Sequence, residues 1–357
     1  MKRLLVTLLA LALTLPGCDR KEIHHRQILQ FGTIIDVTLV TDRALAERAF
    51  EMLEKDFARM QHDWQVWKPG PLMTLNEAIA AGKAITPDPS LPPLIARATE
   101  LSRVSGYLFN PAAGRLIALW GFHRDEFGID HEPDAAIFAK LVAANPRLDD
   151  LSFQDGQLRS RNRLVKLDFG GIAKGYALGL EARKLKAMGI DDFIINAGGD
   201  LVARGHHPLR DWKIGVRKTR GNGSLATITP RNGEAIFTSG DYERYYERSG
   251  ERRHHIIDPR SGYPSKQAHA VTVIHDDPAT ADAAATALMI ACPGERLRVA
   301  ASMGVDKFLL LDRDHRLLLT PAMRQRIELA PGIDDYRLLT TGPQSDASSK
   351  SSTASNL

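Results

Sequence analysis

LDFGGIAKGYALGLEARKLKAMGIDDFIINAGGDLVARG, residues Leu167–Gly205, reads as strand, glycine turn, helix and strand. Asp168 interrupts an apolar run at the first turn, and Gly170 and Gly171 let the backbone come close to whatever lies there. Ile172, Tyr176, Leu180, Leu185 and Met188 recur at helical spacing, with Gly189 where a C-terminal cap is expected, which predicts a helix over 172–188. Its N-terminal amides and dipole would favour an anion, and Lys174 adds a positive charge. A phosphate site and an ordinary tight turn both fit, because neither G-x-G-x-x-G nor the Walker pattern is present. The second turn adds weight to the first reading. Phe193–Asn196 is a short apolar strand ended by Ala197-Gly198-Gly199-Asp200, so Asp, Lys, Asn and Asp stand at two glycine turns around one helix.

Outward from this unit, the chain begins with Met1-Lys2-Arg3, an apolar run Leu4–Leu15 and then Pro16-Gly17-Cys18. A charged start, an apolar core and a Cys at the cleavage point resemble a bacterial lipoprotein signal. Residues 1–18 are thus expected to be a signal segment with Cys18 lipidated, and Asp19 after it implies retention at the inner membrane, facing the periplasm. The run is short for a stable span, so a transmembrane anchor is the weaker alternative. Cys292 is the only other cysteine, which excludes an internal disulfide and reads as a small buried hydrophobe. The formal net charge is +4 with basic residues scattered, which argues against a nucleic-acid partner. Residues 341–357 are polar and Ser-rich and lack the apolar side chains to fold, leaving 19–340 as the folded domain.

Within that domain, Gln27–Leu39 reads as a strand pair and Ala44–Met60, Pro92–Ser105 and Pro111–Leu119 as helices. His123–Asp150 reads as a peripheral loop with a short helix. The runs Trp212–Arg217, Ala226–Ile228, Ala235–Thr238, Ala270–His275 and Lys307–Leu311 are β-like. The fold class is α+β (mixed α/β), a β-sheet core with flanking helices.

Three further constellations carry chemistry. Thr238-Ser239-Gly240-Asp241-Tyr242 puts hydroxyls and a carboxylate at a tight turn, and Ser239, lacking a G-x-S-x-G context, reads as a hydrogen-bonding rather than a nucleophilic serine. In His254–Gly262, strand alternation would place His255 and Ile257 on one face and His254, Ile256 and Asp258 on the other. His255 fits a general base, a structural histidine beside a turn-capping Asp258, or half of a zinc pair, the last without a supporting Cys or H-E-x-x-H. Finally, Ala281–Ala287 starts a small-residue helix on which Asp282 and Thr286 share a face. They are hard oxygen ligands suited to Mg²⁺, or else an exposed face near the helix start. The alanines and Leu288-Met289-Ile290 around them imply burial, and a buried Asp needs a cation or donors.

Taken in order, Phe31-Gly32-Thr33, Trp64–Asn76, Ser105–Phe122, Asp168–Tyr176, Asn196–Asp200, Thr238–Tyr242, His255–Gly262 and Ala281–Ala287 make the chain resemble the bacterial FAD:protein FMN transferases, formerly described as thiamine-biosynthesis lipoproteins. The resemblance implies that Asp168 and Lys174 contact FAD, and that the Gly171 carbonyl, Asp282 and Thr286 hold Mg²⁺. It makes His255 the base with Asp258 beside it, and implies that Phe31, Trp64, Trp67, Phe109, Asn110, Ser239 and Ile256 line the flavin and adenine sites. Two positions depart from the family pattern: Phe31 stands where many members have Met, and Asn110 where many have Asp. The implied reaction moves FMN from FAD to a Thr or Ser hydroxyl of an acceptor, such as a membrane-bound electron-transport subunit, and releases AMP. The alternatives are a periplasmic FAD pyrophosphatase and a flavin-binding lipoprotein without chemistry.

Overall fold

The computed structural model describes residues 21–122, 133–219 and 221–340. The expected signal segment 1–18, its Cys18 and the tail 341–357 lie outside the described residues, as does part of the expected 123–150 loop.

The chain opens with a hairpin, β1 (Glu22–Gln30) and β2 (Thr33–Thr41), followed by α1 (Arg43–Trp64), α2 (Pro71–Ala81), α3 (Leu91–Val104), α4 (Gly114–Leu119) and α5 (Ala135–Ala144). A small hairpin, β3 (Leu151–Gln154) and β4 (Gln157–Ser160), leads to α6 (Ala173–Ala187). Then come β5 (Phe193–Ala197), β6 (Asp200–Arg204), β7 (Ile214–Arg217), β8 (Ser224–Ile228), β9 (Ala235–Gly240), β10 (Tyr245–Arg248), β11 (Glu251–His254) and β12 (Ala268–His275). The chain finishes with α7 (Pro278–Ile290), α8 (Arg296–Ser302), β13 (Lys307–Asp312), β14 (Leu317–Leu319), α9 (Pro321–Arg324), β15 (Ile327–Leu329) and β16 (Tyr336–Leu338).

A nine-stranded sheet in the order β1-β2-β5-β6-β9-β12-β13-β14-β16 is the frame, antiparallel from β1 through β14, with β16 parallel to β14. Its central strands are covered on both faces, and alternation assigns each residue to one of two cores. Val202, Phe237, Val273, Phe308 and Leu310 join the helical side, under α1, α6 and α7. Leu201, Ala203, Ile236, Ile274, Leu309 and Leu311 join the other, beneath the small sheet β15-β8-β7. That explains why runs such as KFLLLD in β13 are apolar at successive positions rather than at every second one.

Helix α7 is buried at every position except Thr286. Its run of alanines lets it sit against the sheet and α6 at close range. It begins at Pro278, not at Ala281: Asp277 is the N-cap, accepting the Thr280 N–H at 2.9 Å, and Pro278 fills the first turn, where no amide partner is needed. The expected strand over His254–Asp258 also ends early, at His254. The His255 N–H turns back to the Arg244 carbonyl at 3.1 Å, so the expected two-faced alternation does not reach Asp258.

Candidate active site

Helices α6 and α7 meet at Gly175. A Cβ there would lie 2.3 Å from the Pro278 carbonyl oxygen and 2.7 Å from the Asp282 Cβ, so only glycine permits this approach. As a result the Gly175 N–H donates to Asp282 Oδ2 at 2.8 Å, and Asp282 caps α6 from a neighbouring helix. This revises the expectation that the start of α6 offers free amides to a phosphate. The turn before it is likewise self-occupied, with the Gly170 N–H donating to Asp168 Oδ1 at 2.9 Å.

Gly171 stands against Thr286. A Cβ on Gly171 would lie 3.1 Å from Thr286 Oγ1 and 3.4 Å from the Phe109 ring. Thr286 Oγ1 is 3.5 Å from Ser239 Oγ, which brings the end of β9 to the same point. The backbone at Gly171, and the Asp282 carboxylate and Thr286 hydroxyl of α7, are therefore brought together by two segments far apart in sequence, with the end of β9 beside them. All are hard oxygen donors, and one is a buried carboxylate. Such a set fits Mg²⁺, which takes few protein ligands and keeps waters for its remaining positions. Among the described residues no group of three His, Cys, Asp or Glu forms a metal cluster, so softer ligation by side chains alone is not built here.

Charge reinforces that fit. Lys174 is ion-paired to Asp200, whose other oxygen accepts the Thr238 N–H at 2.9 Å. Burial disfavours the Lys174 ammonium, but Asp200, Asp282 and Glu243 outweigh it and hold its pKa above the ordinary lysine value. Burial first, and then the Asp200 charge, push the Asp282 carboxyl up to about 7 against the pull of Lys174 and the Gly175 amide. Glu243 is raised to about 7, first by desolvation and then by Asp200, against the pull of Lys174 and Arg244. Three carboxylates thus gather around the Lys174 ammonium, with Arg244 also acting on Glu243, and a further cation would ease the repulsion among them.

His255 follows β11 and stands near enough to Lys174 to feel its charge. Its Nδ1 is 3.2 Å from the Arg244 carbonyl, and because a carbonyl can only accept, Nδ1 carries the proton and Nε2 keeps a bare lone pair. Burial first, then the Arg244 and His254 charges, push its pKa down to about 3, so the ring is neutral. The Phe122 ring meets it edge-on at 6.3 Å between centroids.

The remaining expected residues divide into two groups. Trp67 lies under the Arg244 guanidinium, 5.4 Å from its ring centroid. Trp64 packs edge-on against Tyr176 of α6 at 5.8 Å, and its indole N–H is buried without a hydrogen-bond partner. Phe31 occupies the β1–β2 turn in the left-handed region at φ 54, packed edge-on against Phe57 at 6.2 Å. Asp168 is raised in pKa by burial, and the cation opposing that shift most is Arg244, so it is not a partner of Lys174.

Three residues are engaged elsewhere. Asp258 binds Arg260 at 2.9 Å while the hydrogen bonds of His255 run to Arg244, so the two do not form a dyad; a carboxylate at a Pro-Arg turn finds the nearest guanidinium first. Asn110 spends both ends of its amide on loop backbone, donating to the Pro146 carbonyl after α5 at 2.9 Å and accepting the Ala112 N–H of its own loop at 3.1 Å. Ile256 is buried core, and its carbonyl accepts the Ser265 N–H at 2.9 Å. Conversely, Glu243 and Arg244 were not singled out in the sequence. Arg244 Nη2 donates to the Phe122 carbonyl at 2.6 Å, and the only signal for either was a Glu-Arg pair directly after the Thr238–Tyr242 turn.

Comparison with known proteins agrees with this architecture. The model of the ApbE family matches residues 31–309. A Rhodobacter capsulatus protein named FAD:protein FMN transferase is 40% identical over 325 residues, 90% of this chain and 60% of that protein. The chain thus spans about three fifths of that relative's length. A Klebsiella pneumoniae protein of the same name is 32% identical over 72% of this chain and 79% of its own length. The crystal structure of the ApbE protein from Thermotoga maritima superposes with a TM-score of 0.77 at 26% identity, covering 85% of this chain and 99% of that one. With the family model covering the glycine turns, the β9 end, His255 and α7 in one continuous match, the chain belongs to the ApbE family, in which the Rhodobacter and Klebsiella relatives bear the name FAD:protein FMN transferase.

Proposed function

We propose that this protein is a Mg²⁺-dependent FAD:protein FMN transferase that places FMN on a Thr or Ser hydroxyl of an acceptor protein. The observation that carries the reading is the approach of Gly171 to Thr286 and of Asp282 to the helix of Lys174, together with a neutral histidine within the field of Lys174 whose free nitrogen is fixed by a backbone carbonyl.

Asp282, Thr286 and the Gly171 carbonyl would hold the metal, which when bound would neutralise charge on the pyrophosphate and on the departing AMP. Lys174, kept charged by Asp200, would stabilise the equatorial oxygens of the reacting phosphorus. His255 Nε2 would accept the hydroxyl proton as the acceptor oxygen forms its bond to that phosphorus and the bond to the AMP oxygen breaks. Phe109 packs at Gly171 and Trp67 lies partly exposed under the Arg244 guanidinium, where its face would suit a ring system. The lipoprotein-like start of the chain would tether this site at the periplasmic face of the inner membrane, where membrane-bound electron-transport subunits are candidate acceptors. Among the described residues no helix is long and apolar enough to cross a membrane.

The deciding experiment is mass spectrometry of a candidate acceptor mixed with the protein, FAD and Mg²⁺. FMN mass on a Thr or Ser, dependent on all three components, supports the reading. AMP release at the same rate without any acceptor points instead to a pyrophosphatase.

A further inference from the structure

The two-stranded ribbon β10–β11 is registered with Tyr245 against His254, so Arg244 and His255 form the rung just past its open end. One oxygen does two jobs there. The Arg244 carbonyl accepts the His255 backbone N–H at 3.1 Å and the ring Nδ1–H at 3.2 Å. Among the described residues this is the only hydrogen bond of the imidazole, so its tautomer depends on a single peptide unit. A ribbon of two strands carries little stability of its own, and its last rung is the first to fray.

The Arg244 side chain closes that end. Its Nη2 donates to the Phe122 carbonyl at 2.6 Å, and the buried Phe122 ring meets the His255 ring edge-on at 6.3 Å. The same guanidinium lies over Trp67, 5.4 Å from the ring centroid, and is the first cation to act on the Asp168 carboxylate. One side chain thus links the loop after α1, the chain after α4 and the turn before α6 to the backbone that holds His255. A planar guanidinium can lie face-down on an indole and donate from its edge at once, which an ammonium cannot.

We propose that Arg244 is a positioning residue, whose side chain pins the peptide carbonyl that keeps the His255 proton on Nδ1 and leaves Nε2 bare. Without that side chain the rung past β11 opens and the Nδ1 bond loosens. The ring proton then redistributes to Nε2, where it blocks acceptance of a hydroxyl proton. Any effect on turnover rests on the reading of His255 as the base of FMN transfer, whereas the state of the ring does not.

Nuclear magnetic resonance of the full-length protein carrying isotope-labelled histidine reads the tautomer directly, because protonated and bare ring nitrogens resonate far apart. The signals of His255 are those lost in His255→Gln. At neutral pH the wild type is expected to show one His255 tautomer, Nδ1–H, and Arg244→Met a second population with the proton on Nε2. Turnover of Arg244→Met should fall roughly tenfold or more, while FAD affinity, read from flavin fluorescence, weakens only a few-fold. Should Arg244→Met not fold, Arg244→Gln, shorter and uncharged but still polar, serves the same comparison. A wild-type ring with its proton on Nε2, a His255 spectrum that the variant leaves unchanged, or a loss of FAD affinity with turnover intact overturns the proposal. A redistributed tautomer in a protein whose wild type flavinylates no acceptor leaves the positioning role standing and removes the flavinylation reading instead.

Discussion

Asp282 accepts the amide of Gly175 at 2.8 Å across 107 residues of sequence. A carboxylate proposed to hold a metal is thereby also the N-terminal cap of the helix that carries Lys174. Folding and site construction are the same event at this contact, and each neighbouring substitution has a distinct expected outcome.

Gly175→Ala inserts a methyl 2.3 Å from the Pro278 carbonyl, a backbone atom that cannot swing aside. Overpacking of this kind costs about 1–3 kcal/mol. Because the displaced element is α7, FMN transfer should fall by roughly 10²-fold, as for loss of a positioned catalytic group. Urea melts and an acceptor flavinylation assay on the same preparation check both effects.

Gly171→Ala is the milder counterpart. Its Cβ would sit 3.1 Å from Thr286 Oγ1, and Gly171 is not in the left-handed region, so the fold should tolerate it. The expectation is a stability change of about 1 kcal/mol or less, with a weaker response to Mg²⁺ because Thr286 must move. A Mg²⁺ titration of activity that overlays the wild-type curve would count against Gly171 and Thr286 as ligands.

Asp282→Asn separates stability from activity. In the metal-free fold Asp282 titrates at about 7, against 3.8 for an ordinary aspartate. As pH falls through 7 the folded chain gains a proton that the unfolded chain does not, so wild-type stability rises; above 7 the buried charge is a cost. Asn carries no charge, so in EDTA the variant should melt a few degrees above wild type at pH 8, with the gap closing by pH 5.5. Its flavinylation activity should nevertheless fall by roughly 10²-fold or more. Equal melting temperatures at pH 8 would contradict the raised pKa.

With His255 held near 3, the proposed base is already free of its proton throughout the neutral range. Activity at saturating Mg²⁺ should therefore lack an acid limb near the ordinary histidine value of 6.5. At limiting Mg²⁺ a limb near 7 should emerge, because protons compete with the metal for Asp282. Rate profiles at two metal concentrations distinguish these; a limb at 6.5 that ignores Mg²⁺ would implicate a titrating histidine instead.

Most of the frame was legible because the governing signals are local. Helix α6 at Ala173–Ala187 lies within the expected 172–188, since its apolar spacing and glycine cap act within a few residues. The five β-like runs after residue 205 all fall on strands. By contrast, α2 escaped notice because it opens after Gly70 with no side-chain cap hydrogen bond, and the short strands β14, β15 and β16 are three residues each, too brief to show a period. Within the site, Asp282 and Thr286 could be paired from helical spacing, but the neighbours Glu243 and Arg244 depend on how the chain leaves β9 beside β6 and α7, which no local pattern encodes. Asp258 misled for the same reason: its partner Arg260 is two residues away, and the direction of that short turn decides which group it meets.

On helix α7 every residue is buried, Asp282 included, except Thr286, which is partly exposed. The proposed metal ligands would therefore be insulated from the outer surface, which an acceptor protein would have to read. On the proposed function, drift on the exterior would retarget the protein to a new partner without disturbing the inner donor set, while a change on α7 would strike the chemistry regardless of the partner. Diversification of acceptors and preservation of the reaction would then fall to different layers of one molecule.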